Sequence, residues 1–218
     1  MMKYITTFLV LIVLVLVAGS TFFGAKTIHD LLGENKQLMK AIGNLTEEDQ
    51  IGYAKVIDQE TRPDGTLLTT LRFVATARND KTDTVLEREY TIEGDVIHFD
   101  ALIVKFPSRL VMDGKERSLY LWRRVYGEFM SPSKAFPIEE MGEEPARYRD
   151  VFNRLSVKDR ATFWDSIWEL SNDPTALSEH DVDAIYGNVV YKKLKPGVIY
   201  VFKINNTGQL YPEVVPDM

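Results

Sequence analysis

The chain has 218 residues, no cysteine and a formal net charge of −6, with 27% charged and 45% hydrophobic side chains. That composition suits a folded protein and excludes disulfides, thiolate nucleophiles, cysteine-rich zinc sites and a lipid-modified cysteine near the amino terminus. Basic residues form no stripe: residues 1–49 carry 4 basic and 5 acidic side chains, residues 50–126 carry 12 and 12, and residues 127–218 carry 10 and 15. Nucleic acid is therefore not an expected partner.

Between Lys3 and Lys26 lie 22 uncharged residues, Tyr4 to Ala25, whose centre reads Phe8-Leu9-Val10-Leu11-Ile12-Val13-Leu14-Val15-Leu16-Val17. A helix of that length reaches roughly 33 Å, enough for a hydrocarbon layer of about 30 Å. The expected role of residues 4–25 is a single membrane anchor, with the short amino-terminal tail inside and the bulk of the chain outside the cytoplasm. The alternative is a secretory signal, with Lys3 as its charged start, Ile5–Val17 as its apolar core and cleavage after Ser20. That would release a protein beginning at Thr21.

After the span, Ile28, Leu31, Asn35, Leu38, Ile42 and Leu45 step by three and four. This is a coiled-coil-like seam with Asn35 at a central position, where it can fix register. The seam predicts a helical stalk over 26–46 that pairs with itself or with another anchored helix; the alternative is an amphipathic helix folded on its own domain. Asn44-Leu45-Thr46 and Asn205-Asn206-Thr207 match glycosylation acceptors, which matter only in a secretory host that uses them.

From residue 50 the period changes to two. Strands are expected at Ile51–Gln59 and Leu67–Ala77 around Arg62-Pro63-Asp64-Gly65, then at Thr84–Ile92 and Val96–Phe106 around Glu93-Gly94-Asp95. A further hairpin is expected from Arg109–Met112 and Lys115–Tyr126 about Asp113-Gly114. Residues 127–145 hold Pro132, Pro137, Gly142 and Pro145 without periodicity and read as a loop. Helices are expected over residues 145–155, from Ser156 to Leu170 with an apolar face of Phe163, Trp164, Ile167 and Trp168, and from Asp173 to Ser178. Val189–Leu194, Val198–Ile204 and Leu210–Val215 read as a three-stranded meander, with Val198–Ile204 central and Pro212 marking an edge.

The fold class expected is α+β: an anchor (1–25), a stalk (26–46), a mainly antiparallel β region (50–126), the proline- and glutamate-rich loop (127–145) and an α+β region (146–218) with two or three helices. The last region joins 50–126 in one domain or forms a second.

Four groups of residues are candidate sites. His98 and Asp100 lie two apart on a strand and share a face, the arrangement in which a carboxylate orients an imidazole base, although no nucleophile motif accompanies them. Regular alternation puts Tyr120, Trp122, Arg124 and Tyr126 on one face, residue types suited to stacking on a sugar or a peptide; the alternative is that Trp122 packs in the core. Glu139, Glu140, Glu143 and Glu144 offer oxygen ligands for a hard cation without the spacing of a calcium loop. His180, Asp181 and Asp183 offer a weaker set in a turn, and His29 is the remaining imidazole. No motif implies a cofactor. The function expected is a single-pass, membrane-anchored interaction or scaffold protein of a cell envelope, with a carboxylate-dependent hydrolase of envelope polymer and a ligand-binding sensor or transport subunit as alternatives.

Overall fold

The computed structural model describes residues 33–78, 80–140, 142–149, 161, 164–167 and 182–217. Helix α1 occupies 33–46. The span at 4–25, with Ile28 and Leu31 of the seam, lies outside the described residues, and among those described no helix is long and apolar enough to cross a membrane. Residues Asn44–Met218 form one compact unit, a mostly antiparallel β domain with a few helices.

Its strands are β1 (Glu48–Thr61), β2 (Leu67–Ala77), β3 (Asp80–Glu93), β4 (Val96–Lys105), β5 (Leu119–Gly127), β6 (Phe136–Pro137), β7 (Ala184–Lys193), β8 (Val198–Asn205) and β9 (Leu210–Pro216). One sheet has the order β3-β2-β1-β8-β9 and the other β6-β5-β4-β7, and every pairing is antiparallel. Strands from 50–126 and from 184–216 thus share both sheets. Alternation sends Phe73 and Phe202 from the first sheet, and Phe99 and Trp122 from the second, into one buried core. The Phe73 and Phe202 rings each lie 5.2 Å from Trp122, in edge contacts favoured by the ring quadrupoles.

The Arg62–Gly65 turn closes the β1–β2 hairpin, whereas Glu93-Gly94-Asp95 passes the chain from β3 in one sheet to β4 in the other. Gly65 and Gly94 both hold positive φ, 87° and 86°, which glycine adopts without steric penalty. β1 changes register on both sides, at Gln50/Gly52 against β8 and at Val56/Asp58 against β2. A side chain at Gly52 would place its Cβ 2.4 Å from the Val74 carbonyl oxygen. Gly52→Ala is therefore expected to lower stability by about 1–3 kcal/mol as β1 and β2 are forced apart. The urea midpoint of the purified protein reads this, and an unchanged midpoint would show that the strands yield freely.

Two expected elements are corrected. Arg109–Met112 is not a strand: Ser108–Met112 is a short helix, α2, entered from Pro107 at φ −52°. Asp113 and Gly114 close that helix, with the Gly114 amide on the Val111 carbonyl at 2.9 Å; a five-residue stretch is too short for either periodicity to declare itself. The closing meander is also replaced. β7 starts at Ala184 and pairs with β4 over its whole length, while β8 pairs with β1 and β9. Lys195-Pro196-Gly197 carries the chain from one sheet to the other instead of turning a hairpin. The Tyr200 hydroxyl holds the crossing, accepting from the Lys195 amide at 2.8 Å and donating to the Lys193 carbonyl at 2.9 Å. β8 is central and β9, with Pro212, is an edge.

Candidate functional site

The site is built on the outer face of the four-stranded sheet, and a bulge in β5 decides which side chains reach it. Asp100 pairs with Arg124 and the next residue of β4, Ala101, pairs with Trp122, so Arg123 is the extra residue. Before the bulge, Tyr120 and Trp122 point into the sandwich and are fully buried. After it, Val125 takes the inward side, and Arg124 and Tyr126 emerge on the outer face. Tyr120, Trp122, Arg124 and Tyr126 therefore do not form one surface: the first two are core, because a one-residue slip exchanges the faces of everything beyond it.

The outer face has three zones. Leu102, Val104, Leu119, Leu121 and Ile185 are covered by Tyr148, Trp164, Ile167 and Val182; residues 164–167 are helical. Trp164 is thus core, as its helical spacing suggested, while Phe163 and Trp168 lie outside the described residues. Beside this covered zone lies a charged belt. Asp100 is 1% exposed, and its Oδ1 accepts from Arg123 Nη2 at 2.5 Å and Nε at 3.1 Å, while Oδ2 accepts from Arg124 Nε at 2.8 Å. Two guanidiniums share one carboxylate, so the belt carries a net positive charge. Arg123 reaches across to β7, where Gly187 leaves the room: a Cβ there would lie 2.6 Å from Arg123 Nη2.

The third zone is open. Tyr126, His98 and Tyr191 form a row across β5, β4 and β7. His98 stacks on Tyr126 with centroids 4.8 Å apart and planes 1° from parallel, and Tyr191 lies 6.2 Å from His98. Tyr191 is 69% exposed and Val189, two residues before it, 44%. His98 Nδ1 is buried and has no hydrogen-bond partner among the described residues. His98 and Asp100 do share a face, but both Asp100 oxygens are bound to guanidiniums, so the carboxylate does not orient the imidazole. What this zone offers is a flat aromatic surface beside fixed guanidiniums, chemistry for stacking and hydrogen bonding.

Glu139 has a different task from that of a metal ligand. β6 pairs with β5 at Arg124 and Val125, and the amides of Ile138 and Glu139 continue this cover onto the Arg123 and Trp122 carbonyls, each at 3.0 Å. Beyond it, side chains complete the β5 edge. Glu139 Oε2 accepts from the Trp122 amide at 2.8 Å, the Tyr148 hydroxyl accepts from the Tyr120 amide at 2.8 Å, and Arg147 donates to the Tyr120 carbonyl at 2.5 Å. Arg147 also forms an ion pair with Glu139. Glu140, Glu143 and Glu144 line a shallow groove with Glu139, Arg88 and Arg149, and among the described residues no three His, Asp or Glu side chains are placed to hold a metal ion. His29, His180 and Asp181 lie outside the described residues; Asp183 pairs with Lys105 at 3.4 Å. In α1, Asn35, Leu38 and Ile42 are exposed and Leu45 is half-buried.

Arg123, Gly187, Tyr191 and Arg147 were not singled out by sequence. Arg123 and Arg124 facing one Asp is a signal only once strand register is known, and Arg147 sits in a loop with no period. No known protein family, curated protein or solved structure matches this chain.

Proposed function

We propose that the chain is a single-pass, membrane-anchored interaction protein of a cell envelope, with residues 4–25 in the bilayer and the β domain outside the cytoplasm as an interaction or assembly module. The observation that carries this reading is on α1. Leu38, Met39 and Ile42 fall on one stripe and are 61%, 66% and 51% exposed, an apolar stripe of the kind that seeks a partner helix. The uncharged run of the amino terminus places that stripe close to a membrane, where confinement raises its effective concentration.

The test is the mass of the full chain in mild detergent by sedimentation, alone and with whatever co-purifies from membranes. Leu38→Ser, Met39→Ser and Ile42→Ser together are expected to weaken association by more than about tenfold, since each buried apolar side chain contributes about 1.5–3 kcal/mol. The thermal unfolding of the β domain should not move. A monomer that finds no partner, or a mature chain beginning near Thr21 in the soluble fraction, refutes the reading.

The open row Tyr126–His98–Tyr191 favours a second reading, a sensor or transport subunit that binds a small ligand on this face. A thermal-shift screen of sugars and peptides, repeated with Tyr191→Ala, separates it from the first.

A further inference from the structure

Among the described residues the two sheets end in four outer strands, and three of them carry devices that discourage a further strand. β3 has seven charged side chains among fourteen residues and shifts register twice against β2. β9 contains Pro212 and Pro216, and β6 is two residues long with Pro137 as one of them. β7 has no proline and no register shift. Its ten residues read Ala-Ile-Tyr-Gly-Asn-Val-Val-Tyr-Lys-Lys, they pair with β4 without a register shift, and charge is confined to the last two. A long, regularly paired edge with eight uncharged residues in succession is the kind that accepts another strand. A shallow groove of about 470 Å³ runs along it, lined by Val189, Val190 and Tyr191 of β7 and by Leu210 and Pro212 of β9.

We propose that β7 is where a second copy of this chain adds its own β7, antiparallel, across a two-fold axis. Charge favours the copy as the occupant. Asp183 immediately precedes the strand and Lys193 ends it; within the chain they are held by the surface pairs Asp183–Lys105 at 3.4 Å and Lys193–Asp95 at 3.2 Å, and an antiparallel copy sets each pair beside the other copy's opposite pair, joining four charges at each end in one alternating network. Symmetry then limits the register. A two-fold normal to the sheet keeps each outer face outer, so Val189, Tyr191 and Gly187 of one copy oppose outward residues of the other. Centring on Val189 places Tyr191 across from Gly187, the position without a side chain that the Arg123 guanidinium overlies, where ring and cation attract. The same register sets Lys193 across from Ile185, diagonal to Asp183. One strand pair is a small interface, of the weak class in dilute solution and effective where copies are concentrated. This contact uses a different surface from α1 and does not rest on it.

Because the chain has no cysteine, single introduced cysteines report only contacts between copies. In the full chain in detergent, Val189→Cys is expected to form a disulfide dimer under mild oxidation at least about tenfold faster than Phe129→Cys, an exposed control, because directly opposed residues bring their Cα atoms within disulfide range. Spin labels at Lys193→Cys and Ala184→Cys should give backbone separations of roughly 26 and 33 Å, twice the offset from the axis at about 3.3 Å per residue. Val189→Lys, on an exposed position, should abolish both distances without lowering the unfolding temperature. Equal crosslinking of Val189→Cys and Phe129→Cys, a shorter distance at either strand end than at the centre, or distances that survive Val189→Lys would each overturn the proposal. A co-purifying foreign polypeptide with both labels silent also overturns it. A dimer by mass with silent labels removes the strand pairing and leaves the α1 reading standing; labels that report after the α1 stripe is made polar, with mass unchanged, do the reverse.

Discussion

Arg147→Ala is expected to destabilise the β domain by about 3–5 kcal/mol, the range for removing one partner of a buried ion pair. For a domain of this size that is a fall of roughly 6–20 °C in Tm. The Arg147 side chain is 1% exposed and that of Glu139 13%. Burial opposes the charge on Arg147, but Glu139, with Tyr120 and Tyr148, outweighs it and holds the guanidinium pKa above its ordinary value. The guanidinium also lies 4.2 Å from the Tyr120 ring centre and 4.9 Å from that of Tyr148. Alanine would leave the Glu139 carboxylate without its cation and take a donor from the Tyr120 carbonyl, while the amide of Trp122 still depends on Glu139. The effect should therefore spread along the β5 edge. Combining Arg147→Met with Glu139→Gln should recover about 1–2 kcal/mol relative to the sum of the single changes, because neither charge is then left alone and glutamine still accepts from Trp122. A Tm shift of under about 3 °C for Arg147→Ala would place the pair with surface salt bridges of little net value.

The parts of this domain that are legible in sequence are those fixed by neighbours along the chain. β1 to β4 are announced by alternation and by Asp64-Gly65 and Gly94, whose turns need positive φ. β8 is announced as central by apolar residues on both faces, and Pro212 marks β9 as an edge. Failure comes where distant segments decide. β7 resembles a hairpin partner of β8, yet it pairs with β4, and nothing local distinguishes the two. The expected binding face failed at one residue: Arg123 is accommodated as a bulge opposite Asp100, and alternation beyond it reverses. Tyr120 and Trp122 thereby became core and Tyr126 joined His98, a pairing that required both the bulge and the β4–β5 register. Glu139 was visible only as one of four acidic residues; its role depends on Arg147 and Tyr148 folding back over β5, which no periodicity encodes.

Asp100→Ala is expected to cost about 2–3 kcal/mol, below the range for a fully buried pair because the guanidiniums it leaves behind can reach water. The Arg123 and Arg124 side chains are 26% and 39% exposed, whereas Asp100 is 1% exposed. That asymmetry makes a stronger prediction than the single loss. Arg123→Met or Arg124→Met alone should cost about 1 kcal/mol, since Asp100 keeps the other guanidinium and each arginine stem is partly replaced. The double change leaves a buried carboxylate with neither cation and should cost about 3–5 kcal/mol, a coupling of about 1–3 kcal/mol beyond additivity. Arg124 also donates to the Pro132 carbonyl at 3.1 Å, a bond its single variant loses as well. Urea denaturation of the wild type, the two single arginine variants and the double variant measures this cycle. Strict additivity would mean that water replaces the second guanidinium at Asp100, and the bulge at Arg123 would then need another reason for bringing two consecutive arginines to one carboxylate.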